Sequence, residues 1–221
     1  MARMARVVIP NYPHHITQRG NRRQETFFIG DDYQAYISLL SNAKKQAGID
    51  VWAYCLMPNH VHLVVVPEHE DSLAVFFRAA HRQYTRRINV REGWRGHLWQ
   101  ERFHSFVMDE TYLLAAVRYV ELNPVKAHLC QSPEDWAWSS TQAHLRGKDD
   151  ALVSVSPMLD RISDWREYLG ADENIDMQQR IREYTRTGRP GGTDVFLKKL
   201  EQQTKRILHK GKPGPKSRGI K

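Results

Sequence analysis

Along the first 130 residues the spacing of apolar positions switches back and forth between two periods. HHITQRGN (14–21) has strand-forming character and ends at Gly20. DDYQAYISLLSNAKKQAG (31–48) opens on aspartates, carries Tyr33, Tyr36, Ile37 and Leu40 at helical spacing, and stops at Gly48. A strand followed by a helix is predicted. IDVWAYCLM (49–57) and HVHLVVV (60–66) are β-branched runs separated by Pro58 and Asn59, which predicts an antiparallel hairpin with both strands buried. In 71–89 Ser72 stands as a cap before Leu73, Phe76, Phe77 and Ala80, so a long helix follows the hairpin. HLWQERFHSFVMD (97–109) alternates as a strand, and DETYLLAAVRYVELNP (109–124) reads as a helix capped by Asp109 and ended by Pro124. The order βαββαβ plus one helix predicts an α+β class: a ferredoxin-like antiparallel sheet with helices on one face.

Past residue 130 the pattern weakens. SPEDWAWSSTQAHLRG holds turn signals, and Trp136 and Trp138 are expected to pack against the domain rather than bind bases. Short helices are expected within 157–188, TGRPGG breaks the chain, TDVFLKKLEQQTKRILHK restarts a helix, and GKPGPKSRGIK is expected to be disordered.

Charge sharpens this division. The chain of 221 residues has a net charge of +8, and residues 198–221 alone hold nine Lys and Arg against one Glu. Residues 1–130 hold 16 basic and 12 acidic residues, whereas 131–197 hold 8 and 12. A basic domain, an acidic connector and a strongly basic end point to a polyanion partner, with a solvated solubility tail as the competing reading. Cys55 and Cys130 form no metal-type pair, and no apolar stretch has the length of a membrane span, so a cytoplasmic protein is expected.

Within the buried hairpin, His60 and His62 break the apolar run. Alternate strand residues share a face, so the two imidazoles point the same way about 7 Å apart along the strand. A pair of this kind has ligand geometry, and further ligands must come from elsewhere in the chain. Tyr119 and Asn123 are four residues apart, one helical turn, beside the Leu113, Val117, Val120 stripe that must dock on the sheet.

PNHVHLVV, followed some sixty residues later by YLLAAVRYVELNPVKA, resembles the REP-associated tyrosine transposases, relatives of the insertion-sequence transposases among the HUH single-strand nucleases. The likeness extends through HHITQRGNRR, LWQERFHSFV and DWAWSS. The likeness covers about residues 7–145 closely and the tail only in character; with the charge pattern, the expected division is a catalytic domain over 1–130, an acidic helical extension over 131–192 packing on it, and a basic helix and tail over 193–221. The likeness implies that His60, His62 and Asn123 hold a divalent metal, Mg²⁺ or Mn²⁺, and that Tyr119 is the nucleophile. Ligand softness alone would equally allow Zn²⁺. The implied activity is metal-dependent cleavage and transfer of single-stranded or hairpin DNA through a 5′-phosphotyrosine. A non-cleaving hairpin-binding protein of the same fold is the alternative, and a zinc hydrolase is disfavoured by the lack of His-Glu-x-x-His or His-x-Glu with Cys-x-x-Cys. Tyr112, two turns before Tyr119, is the rival nucleophile on spacing; packing is the alternative role for Tyr112 and Tyr54.

For DNA contact, Gln18, Arg19, Asn21, Arg22 and Arg23 form a polar and basic loop after the first strand. Arg78, Arg82 and Arg86 recur every fourth residue and could track a phosphate backbone, or form a solvated helix face. Arg102 is placed to approach the scissile phosphate from the neighbouring strand, and Lys212 represents the basic tail on DNA. REP-associated relatives are expected to act as monomers, so a monomer is preferred over a homodimer.

Overall fold

The computed structural model describes residues 5–172 and 174–209. Its sheet contains β1 (His14–Arg19), β2 (Ile49–Met57), β3 (His60–Pro67) and β4 (His104–Val107), in the order β2-β3-β1-β4 with every pair antiparallel. Helices α1 (Gly30–Ala47) and α2 (Ser72–Glu92) complete the expected βαββαβ order and cover one face. Met57 pairs directly with His60, so Pro58 and Asn59 form a two-residue turn and the hairpin is as tight as the sequence indicates.

Helices do not lie on one face alone. Val51, Leu56, Val61, Leu63 and Val65 point into the core under α1 and α2, while Ala53, Cys55, Met57 and Val64 point to the reverse side. The continuous apolar run of β3 is thus apolar on both sides, and its second face has to be covered as well. Helix α3 (Glu110–Glu121) does this with Leu113, Ala116, Val117 and Val120, and is joined there by α7 (Trp165–Gly170) and α8 (Ile175–Thr187).

The elements differ from expectation at their ends for local reasons. Only His104–Val107 of the expected 97–109 strand pairs with β1, because Glu101 takes a left-handed φ of 56° and turns the chain. Leu98 and Gln100 still exchange backbone bonds with Asn21 and Arg19, so the segment runs alongside the sheet edge without extending β4. Ser72 is the first residue of α2 rather than its cap, with its hydroxyl accepting from the His69 amide. Asp109 does cap α3, accepting from the Tyr112 amide. That helix stops at Glu121, and Asn123 opens the separate short helix α4 (Asn123–Lys126) with Pro124 in its first turn. Trp138 stacks on Tyr33 at 4.7 Å, and Trp136 donates to the Leu56 carbonyl at 3.0 Å. Both tryptophans pack. Residues 210–221, including Lys212 and the expected disordered end, lie outside the described residues. Among the described residues no helix is long and apolar enough to cross a membrane.

The last turn of α3 is tied down by a buried polar cluster. Glu121 accepts from the Ser140 hydroxyl, from His144 Nδ1 at 2.7 Å and from Trp165 Nε1 at 2.9 Å, and Ser140 and His144 belong to the turn and helix α5 (Thr141–Arg146) of the extension. Glu121, Ser140 and His144 are buried, so water replaces none of these bonds. Glu121→Ala leaves the buried His144 and Trp165 donors without an acceptor, while the Ser140 hydroxyl keeps the Tyr54 carbonyl at 3.3 Å, at about 1–3 kcal/mol for each orphaned group with partial relaxation. A net loss of roughly 3 kcal/mol in unfolding free energy is expected in urea titration, with a smaller loss for Glu121→Gln; equal stability of Glu121→Ala and wild type would remove the cluster from the fold's support.

Candidate active site

The antiparallel register decides which side chains meet. Thr17 lies opposite both His62 and His104, and Arg19 opposite His60, so these residues share the α3 face of the sheet. Tyr119 rises from α3 against them, its ring 5.7 Å from that of His62 and nearly perpendicular to it. The imidazoles of His60 and His62 stand 4.9 Å apart, and Asn123 Nδ2 is 3.3 Å from His62 Nε2. A cavity of about 530 Å³ opens over the group, lined by Arg19, His60, His62, His104 and Tyr119 on the sheet and α3 side and by Arg182, Thr185 and Arg186 of α8 on the other.

Hydrogen bonds fix the proton on each imidazole. Thr185 donates its hydroxyl proton to the Ile181 carbonyl at 2.8 Å, which leaves its oxygen to accept from His15 Nδ1 at 3.3 Å. His15 Nε2 therefore accepts from His62 Nδ1 at 3.1 Å, and the lone pair of His62 Nε2 faces Asn123. On the neighbouring ring, His60 Nδ1 donates to Asn59 Oδ1 at 2.7 Å, while Asn59 Nδ2 donates to the Arg23 carbonyl at 3.1 Å. Both histidines thus keep Nε2 free of a proton, the arrangement in which imidazole serves as a ligand. Burial reinforces it: His60 is lowered to about 4 with help from Arg19, His15 to about 3, and His62 well below its usual value, with His60, His15 and Arg19 adding to its desolvation.

The expected DNA-contacting residues do not gather in one place. Arg19 lines the cavity. Asn21, Arg22 and Arg23 form a turn just beyond it, with Arg22 and Arg23 exposed and both in the left-handed region. Gln18 also lines the cavity, with its side chain buried and its amide nitrogen donating to the Arg19 and Gln100 carbonyls. Arg78, Arg82 and Arg86 are exposed on α2, across the sheet from Tyr119. Arg102 lines a separate small cavity with Arg6 and Gly188. Of the rival tyrosines, Tyr112 packs against Tyr184 at 5.3 Å and Tyr54 donates to Asp150 at 2.7 Å, so neither hydroxyl faces the histidines.

A family model for "Transposase IS200 like" matches residues 9–123, more than half the chain and the whole span from β1 to Asn123. The chain belongs to the IS200-like transposase family. Within it, the sequence is similar to a REP-associated tyrosine transposase of Haemophilus influenzae, 28% identical over 120 residues, which cover 48% of this chain and 68% of that protein. The fold is similar to a solved REP-associated tyrosine transposase bound to a REP hairpin, with a TM-score of 0.58 and 21% identity over 79% of this chain and 99% of that one.

Sequence reasoning missed His15, Asn59 and the three α8 residues. His15 was detectable in principle, being two positions before Thr17 and so on the same strand face as Thr17 and Arg19; Arg182, Thr185 and Arg186 carry no local signal. His14, lowered to about 4, and His15, lowered to about 3, are neutral in the folded protein but protonate near the ordinary 6.5 when unfolded. The unfolded chain therefore binds more protons, and the stabilisation present above pH 6.5 is lost as pH falls toward 4. Urea titrations at pH 7 and pH 5 are expected to differ by about 2 kcal/mol or more; equal stability at the two values would mean that these rings are already hydrated in the native state.

Proposed function

We propose that this protein cleaves and rejoins single-stranded or hairpin DNA of palindromic repeats, with Tyr119 as the nucleophile and His60, His62 and Asn123 as holders of a divalent cation, Mg²⁺ or Mn²⁺. The observation that carries this reading is the convergence of Tyr119 and two imidazoles with unprotonated Nε2 atoms at one basic cavity, with the Asn123 amide against His62 Nε2. The solved relative bound to a REP hairpin supports hairpin DNA as the partner.

The donor set suits the cation. Two neutral imidazoles and an amide would make an N,N,O set once the Asn123 side chain turns its Oδ1 to the cation, since here its Nδ2 donates to His62 Nε2; among the described residues no three His, Cys, Asp or Glu side chains form a metal cluster. When bound, a divalent cation polarises the scissile phosphate and offsets charge on its non-bridging oxygens. A tyrosine hydroxyl is a weak nucleophile at neutral pH, so the placement of Tyr119 against His62 in the wall of the cavity is what the fold contributes. Attack by Tyr119 Oη forms the phosphorus–oxygen bond of a 5′-phosphotyrosine as the 3′-oxygen leaves and takes a proton. Attack by a 3′-OH reverses the exchange and releases Tyr119, without an external energy source.

A labelled hairpin oligonucleotide incubated with Mg²⁺ or Mn²⁺ is expected to yield a covalent protein–DNA adduct that survives denaturation and is absent from Tyr119→Phe. An undiminished adduct in that variant overturns the assignment, and hairpin affinity without any cation-dependent adduct from wild type favours the non-cleaving reading. Asn59→Ala frees the His60 ring to change tautomer, so Mn²⁺ affinity measured by titration should fall roughly tenfold; unchanged affinity would remove Asn59 from the support of His60.

A further inference from the structure

We propose that α8 is the strand-gripping wall of the active site, with Arg182 and Arg186 binding backbone phosphates of the single strand beside the scissile bond. The proposal rests on the DNA-cleaving reading above and names the part of the substrate that this wall takes.

Four observations carry it. Arg182 and Arg186 both line the cavity that holds His60, His62 and Tyr119, and both are exposed. Among the described residues neither guanidinium has an ion pair or hydrogen bond, although residues 131–197 carry an excess of acidic side chains that could have neutralised them. The two positions are one turn apart, which sets their Cβ atoms about 6 Å from each other in a row along the helix. A row of two such cations meets successive phosphates of an extended strand, each with a two-pronged donor set.

The helix holding them is registered to the catalytic side chains. Asn174 caps it by accepting from the Met177 amide, Gly188 ends it in the left-handed region, and Met177, Ile181 and Tyr184 seat it on α3. Thr185, between the two arginines, bonds His15, which in turn bonds His62. Thr185 is a positioning residue: it holds the phosphate-binding row at a set distance from the imidazoles. The wall lies outside the 9–123 span that the family model matches.

The test is made with the full chain in a Tyr119→Phe background, so that binding is read without cleavage, using a hairpin with a single-stranded flank and the same hairpin blunt-ended. Arg182→Gln/Arg186→Gln is expected to abolish the affinity difference between flanked and blunt DNA. It should also lower the salt slope for the flanked DNA by about 1.4, from two single-strand phosphate contacts at about 0.7 each, with blunt affinity unchanged. Arg182→Lys/Arg186→Lys, which keeps charge, should retain most of the slope and thereby separates charge loss from any disturbance of the helix. An unchanged slope and flank dependence in the glutamine variant overturns the proposal, as does equal weakening of both DNAs, which would assign the arginines to the duplex stem. Adduct formation by the protein with Tyr119 intact, scored separately, distinguishes the two failures: adduct with an unchanged slope defeats only the α8 assignment, whereas a flank-specific slope change without adduct defeats only the cleavage reading.

Discussion

The seating of α3 on the sheet is the constraint on which the site depends. Leu113, Ala116, Val117 and Val120 are fully buried against Ala53, Cys55 and Val64, and Glu121 accepts from three buried donors at the end of the helix. A rotation of α3 would expose the stripe and orphan the His144 and Trp165 donors together. Tyr119 and Asn123 flank Glu121 two residues to either side, so the same cluster that closes the core sets where the hydroxyl and the amide point. The extension is thus part of the support of the site: Ser140, His144 and Trp165 all lie beyond residue 130.

The sheet supplies the second half by register. With Thr17 opposite His62 and Arg19 opposite His60, β1 lays a cation beside the imidazoles and places His15 behind them. The two rings are then oriented by different means. His60 is held by its sequence neighbour Asn59, which the tight turn brings to its Nδ1, and His62 by a relay through His15 to Thr185, 170 residues away from His15 in the chain. The result on both rings is the same, an Nε2 that carries no proton.

Two basic surfaces exist, and the sheet separates them. Arg78, Arg82 and Arg86 belong to the α2 side, while Arg19, Arg182 and Arg186 border the cavity. Positive charge far from a phosphate in water acts by steering more than by holding, whereas charge at the rim of a cavity beside desolvated imidazoles acts at short range. Net charge by segment misleads on this point, because the acidic connector contributes two of the cavity's cations.

Much of the framework was legible in the chain itself. The β-branched runs in 49–66, helical spacing in 31–48, 71–89 and 109–121, and the Pro58–Asn59 break are local properties, so the order of elements and the shared face of His60 and His62 follow from covalent geometry. The pairing of Tyr119 with Asn123 was also visible, as a spacing of four. Burial of Gln18, the two-sided cover of the sheet, the turn at Leu122 that releases Asn123 from α3, and the roles of His15 and Asn59 were not, because each depends on what a distant segment presents. Spacing along a chain specifies which side chains share a face; only the packed structure decides what that face meets, since desolvation and hydrogen-bond direction are set by neighbours that are remote in sequence.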